Sequence, residues 1–236
     1  MNTLETITQY LKSPHPDEDG EDRGTKKLPG LSENEIEAFE RECGCIFTTD
    51  VKELLRDCGG LEEGPMEIID FKGEMVDYLG FGKNRIKEIA PDGFGNFWFY
   101  WLPHVSEELG PIFYYQHEGP MLFYQSDSLR DFISECIRFM TPPYDSLIDD
   151  LHEFRIKRIQ DLNDDLTPTA LYEVDSKTES FISSLQDDVF VYDFRNSKVG
   201  DGVDLQKFDV VEMHPDLPIL AVRKRKTLFQ RLFQKN

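Results

Sequence analysis

Leu28–Glu62, LPGLSENEIEAFERECGCIFTTDVKELLRDCGGLE, reads as two short helices that end on a glycine pair. Ser32 and Glu35 have the S-x-x-E spacing of a capping box, and Leu31 is available as a staple residue in front of it. Ile36, Phe39 and Cys43 then fall on one helical face, and Gly44 is a fitting stop. A second helix starts near Asp50, where Asp50 and Glu53 repeat the capping logic. Val51, Leu54, Leu55 and Cys58 line its apolar face, and Gly59-Gly60 ends it.

Downstream the pattern changes to strands and turns. Met66–Ile69 is a short strand candidate, and Ile86–Ala90 runs into the turn PDGFGN and then FWFYW, Phe97–Trp101. Pro111–Gln116 and Met121–Gln125 flank the turn His117-Glu118-Gly119-Pro120 and read as a hairpin. Ser126 or Ser128 caps a third helix with the stripe Leu129, Phe132, Ile133, Cys136 and Ile137. Two helices, a strand meander and a helix make an α+β order, not alternating βαβ units. Ile36, Phe39, Leu54, Leu55, Phe132 and Ile133 are the expected core.

On either side the chain is less regular. Leu4, Ile7 and Leu11 suggest a short N-terminal helix, followed by the acidic loop Ser13–Lys27. Thr141-Pro142-Pro143 breaks the chain, and Tyr144, Leu147, Ile148, Leu151 and Phe154 begin another helix. A helix near Glu179–Leu185 and strands near Val189–Phe194, Phe208–Met213 and Pro218–Val222 precede the tail RKRKTLFQRLFQKN. The expected division is 1–27, helix and acidic loop; 28–140, the α+β domain; and 141–236, an α+β extension with a basic tail.

Three segments in order carry a resemblance to the SUKH superfamily, the Smi/Knr-like domain, over about residues 28–140. The first is the stretch quoted above. The second, IKEIAPDGFGNFWFYWL, is similar to the family's DG-x-G turn feeding a strand. The third, GPIFYYQHEGPMLFYQSDSLRDFISECI, is similar to its hairpin followed by a Ser-capped helix. Thr48-Thr49 stands where the family often has Pro, and Cys58 where it often has Asn. The resemblance implies a mixed, largely antiparallel sheet with packed helices, and binding as the activity. Many bacterial members resemble immunity proteins that neutralise toxins, often nucleases; fungal relatives are regulatory.

Catalytic and cofactor motifs fail on spacing. In Asp92-Gly93-Phe94-Gly95-Asn96 the glycines are followed by a strand run rather than by a helix or a Lys-Ser/Thr, so they serve a tight turn. In the acidic loop, an EF-hand register on Gly20 would put His15 first and Lys26 twelfth, where Asp and Glu are needed. Cys43, Cys45 and Cys58 lack paired C-x₂-C spacing and have no His near in sequence; Cys43 and Cys58 fall on apolar helix faces and read as buried thiols. The histidines form no H-E-x-x-H; His104 and His117 could meet if they flank neighbouring strands. No catalytic residue, metal or cofactor is therefore expected. Phe97, Phe99 and Trp101 alternate with Trp98 and Tyr100. The strand is expected to be central and buried on both faces, the alternative being one face exposed to a partner.

Net charge is −20, and the last 14 residues hold six bases and no acid, leaving 20 bases against 46 acids elsewhere. This repels nucleic acid; on charge alone the first reading is solubility, and the sharper one is a partner with a basic surface. The tail is expected to fold back on the protein's own acids, or second to serve as a membrane-surface or partner helix. With no apolar leader, no long apolar run and no disulfide framework, the expected compartment is the cytoplasm. The expected function is binding and neutralising a basic toxin; the alternative is a regulatory or scaffold role without a toxin partner, and an enzyme of unrecognised type comes last. Glu62, Glu63, Asp92 and Glu118, each beside a Gly or Pro turn, are the expected partner contacts.

Overall fold

The computed structural model describes residues 2–13, 24–62, 66–76, 85–102, 105–148, 151 and 166–225. Its centre is a six-stranded sheet in the order β11-β8-β7-β6-β5-β4: Gly202–Asp204, Met121–Ser126, Ile112–Gln116, Phe97–Trp101, Ile86–Pro91 and Glu74–Val76. Every strand pairing among the described residues is antiparallel, and the fold is α+β.

The helices cover the front of this sheet. α1 (Thr3–Tyr10), α2 (Glu33–Cys43), α3 (Thr49–Asp57) and α4 (Leu129–Met140) bring Ile7, Ile36, Phe39, Leu54, Leu55, Phe132 and Ile133 into one core with Trp98, Tyr100, Tyr114 and Phe123. All six residues expected in the core from their helical spacing are at most 3% exposed. Ser32 and Glu35 form the capping box of α2, and Gly44 ends it in the left-handed region at φ 70°. The cap of α3 differs from the sequence expectation. Thr48, not Asp50, accepts the Val51 N–H, so the helix begins at Thr49 and Asp50 lies in its first turn. Asp50 and Glu53 share the spacing, but the hydroxyl two residues earlier takes the exposed donor. Ser128 caps α4.

Gly59 and Gly60, just past the Cys58 cap of α3, are glycine for a steric reason. A Cβ on Gly60 would lie 2.1 Å from the Ile69 carbonyl oxygen, and one on Gly59 2.3 Å from that of Pro29. The Gly60 approach is made in a small sheet, β1-β2-β3, of Lys26–Leu28, Gly60–Glu62 and Ile68–Asp70, and the Gly59 approach just beside it.

A second sheet covers the back, in the order β12-β13-β10-β9: Phe208–Met213, Ile219–Lys224, Val189–Asp193 and Thr167–Pro168. Phe97, Phe99, Trp101, Phe113, Tyr115, Leu122 and Tyr124 meet Tyr192, Phe194, Leu205, Leu220 and Val222 in a second core. The five residues of FWFYW are each at most 4% exposed, so β6 is buried on both faces. β11, from the C-terminal part, pairs with β8 and extends the central sheet. α5 (Glu179–Ser184) packs Phe181 and Ile182 on the outer face of the second sheet. Of the helix expected to begin at Tyr144, residues 144–148 and 151 are described, with Leu147, Ile148 and Leu151 helical; the rest lies outside the described residues, as do residues 14–23 of the acidic loop and the tail from 226. No helix among the described residues is long and apolar enough to cross a membrane.

Candidate protein-docking site

The turn between β5 and β6 is built around Asp92. Its Oδ1 accepts the N–H groups of Phe94 (2.8 Å) and Asn96 (3.1 Å). Its Oδ2 accepts from the Asn96 side chain (2.6 Å) and the Tyr114 hydroxyl (2.8 Å). Burial pushes this carboxyl up, but the bonds from Asn96, Phe94 and Tyr114 outweigh it and hold it below the ordinary range. Gly93 and Gly95 take φ of 79° and 84°, where other side chains are strained. The glycines therefore serve the tight turn expected of them. Between them Phe94 is 82% exposed.

Beside Phe94 lies a groove of about 420 Å³, lined by Met66, Glu67, Pro91 to Phe94, Trp98, Phe139 and Ile148. Trp98 is its rigid floor: the ring packs 4.8 Å from Tyr114 and 5.7 Å from Phe132, and its Nε1 donates to Gln125 Oε1 at 2.9 Å. Phe139 comes from the last turn of α4, and Ile148 from the segment after it. Glu135 fastens that segment to α4: its carboxylate accepts the Leu147 N–H (2.8 Å) and a bond from Arg138 (2.9 Å), and its carbonyl accepts the Ser146 hydroxyl (2.8 Å).

Of the four acids chosen from sequence, Asp92 lines the groove but points its carboxylate into its own turn rather than outward. Glu118 is exposed in the neighbouring turn: His117 N–H donates to Asn96 Oδ1 (2.9 Å), and the His117 ring sits 3.0 Å from where a Gly95 Cβ would be. Glu62 is the register partner of Ile68, which follows the groove residues Met66 and Glu67. Glu63 lies outside the described residues. Sequence reasoning missed Phe94, Met66, Glu67, Phe139 and Ile148. For Phe94 the available signal was a large aromatic between two turn glycines, a position that points to solvent.

Other candidates have structural roles. Cys43, Cys58 and Cys136 are buried, and burial pushes all three thiols up, away from the reactive thiolate. Among the described residues no group of three His, Cys, Asp or Glu could hold a metal ion. His214 is buried; Nδ1 accepts the Asp216 N–H (3.0 Å), so Nε2 carries the proton given to the Lys177 carbonyl (3.0 Å). His104 lies outside the described residues, and His117 is an exposed turn residue. At the start of the basic tail, Arg223 lies 2.9 Å from Asp188 and donates through Nη2 to Gln186, and Arg225 pairs with Asp209 at 2.8 Å.

Helices on one face of an antiparallel sheet, with an Asp-Gly turn between two of its strands, define the class of fold. Residues 30–135 match the model of the SMI1 / KNR4 family (SUKH-1), and the chain carries a SUKH domain over this part of its length. No curated protein and no solved structure matches the chain.

Proposed function

We propose that this protein is a binding module of the immunity type, which neutralises a basic bacterial toxin, a nuclease by preference, by direct contact. The observation that carries the reading is the exposed Phe94 on a SUKH domain, beside an apolar groove edged by acids. An exposed aromatic on a fixed turn is the kind of residue that dominates protein interfaces. The net charge of −20 supplies attraction to a basic partner and repels the nucleic acid such a partner would act on. The site performs binding, not catalysis, and needs no cofactor.

The test has two stages. Affinity purification identifies a partner, and recombinant partner and protein are then recombined at rising ionic strength. The expected result is a stoichiometric complex that abolishes the partner's activity. Its on-rate should fall steeply as added salt shrinks the Debye length from about 10 Å towards 3 Å. A complex indifferent to salt removes the electrostatic account. A partner that is no toxin, bound without loss of activity, favours a regulatory or scaffold role.

A further inference from the structure

We propose that the Phe94 turn and the groove beside it form the docking surface, and that the partner places there an apolar side chain flanked by lysine or arginine. This rests on the binding function proposed above and identifies where and what the protein binds. Phe94 is held by the turn rather than by packing: the backbone is fixed by Asp92 and two left-handed glycines, while the ring stands 82% exposed. An aromatic presented this way needs no backbone ordering when it enters a partner's surface, only that of its own two side-chain torsions. The groove then receives something in return. Its floor and walls are Trp98, Met66, Phe139 and Ile148, and about 420 Å³ is room for one or two large side chains. The exposed Tyr144 and Leu147, on the segment that carries Ile148, and Ile68, next to Glu67, extend the apolar surface.

The charge of the rim selects the partner. Glu67 is exposed, Asp92 is ionised within its turn, and among the described residues no base lines the groove. Glu62 lies on the side of Ile68, and Glu118 on the side of Asn96. A second copy of this chain would bring another −20 to the same acidic rim, which disfavours self-association. A small metabolite is disfavoured too, because both oxygens of Asp92 are already occupied and few polar groups converge to orient it.

The experiment uses the full chain and an immobilised set of short peptides with a central Leu, Phe or Trp between Lys or Arg residues. Matched sets carry flanking Glu or a central Ser. The wild type should bind the basic apolar set about tenfold more tightly than either control. Phe94→Ala and Glu67→Lys should each lose about tenfold, whereas Glu173→Lys, the same charge change on the C-terminal part, should not. Because Phe94 and Glu67 are exposed, unchanged thermal midpoints should accompany the loss. Equal binding of all peptide sets, or groove variants that bind as wild type does, overturns the proposal. A wild-type dimer that Phe94→Ala converts to a monomer, seen by light scattering, also overturns it in favour of a second copy. The recombined partner complex separates this proposal from the function. A complex that forms normally with both groove variants refutes the docking surface and leaves the binding function intact. Peptide selectivity without a toxin partner retains the surface and refutes neutralisation.

Discussion

Asp92 commits both carboxylate oxygens to the turn that displays Phe94, so its replacement has two separable effects. Asp92→Asn puts an amide donor against donors from Asn96 or Tyr114, and should cost about 1–2 kcal/mol of stability, since the site is only half-buried. The cost should depend on pH with a definite sign. The folded carboxyl ionises below an unfolded Asp, near about 3.9, so its contribution is complete above that value and is lost as pH falls through the folded one. Urea midpoints of wild type and variant should therefore be furthest apart near neutrality and converge in acid; a constant gap would refute the assignment. Two glycines make a second contrast at this scale. Gly44 has a left-handed φ of 70° with nothing within 4 Å of where a Cβ would stand, whereas Gly60 faces a carbonyl at 2.1 Å. Gly44→Asn should cost under about 1 kcal/mol, because Asn tolerates that backbone. Gly60→Asn must push β2 from β3 and should cost about 3 kcal/mol or more. Similar urea midpoints for the two variants would show that close approach is not the reason for Gly60.

At the scale of elements, the groove depends on how the segment after α4 is tied down. Glu135 holds Leu147 and Ser146, which sets Ile148 against Trp98 and Phe139. Glu135→Ala should cost about 1–3 kcal/mol and leave the Leu147 N–H without its acceptor. Faster hydrogen exchange at Leu147, with α2 unchanged, is the expected signature; uniform exchange changes would mean a global rather than a local role. The helices themselves were legible because their caps and stripes are local: Ser32 with Glu35, and Leu129 through Cys136 at helical spacing. The cap of α3 was misplaced by two residues because Thr48 and Asp50 both offer a capping oxygen, and only the position of the preceding chain decides which meets the helix.

At the scale of the molecule, the C-terminal sheet is the back wall of the SUKH sheet. Phe97, Phe99, Trp101, Phe113, Tyr115, Leu122 and Tyr124 are covered by it. Exposing seven such side chains at about 1.5–3 kcal/mol each forfeits roughly 10–20 kcal/mol, as much as a whole domain's stability. A fragment ending at Met140 should therefore aggregate or bind hydrophobic dyes, although the family match lies wholly within it. A soluble, cooperatively unfolding fragment of that length would show that the second sheet is dispensable.

The sequence by itself determined the α+β order, the helix faces, the DG-x-G turn and the SUKH resemblance, because caps, periodicity and turn glycines act over a few residues. It also showed that the two faces of Phe97–Trp101 could not easily both be solvated. Which chain segment covers each face was decided only in three dimensions, since Trp101 and Phe113 meet Phe194 from far along the chain and no local pattern connects them. The groove is of the same kind: Met66, Phe94, Trp98, Phe139 and Ile148 come from four separate stretches, and their common use follows from packing alone. Acidity was visible as a total, but its direction was not. Folding turned Asp92 inward and left Glu67 and Glu118 facing solvent, because hydrogen-bond donors close to Asp92 compete with water for its charge.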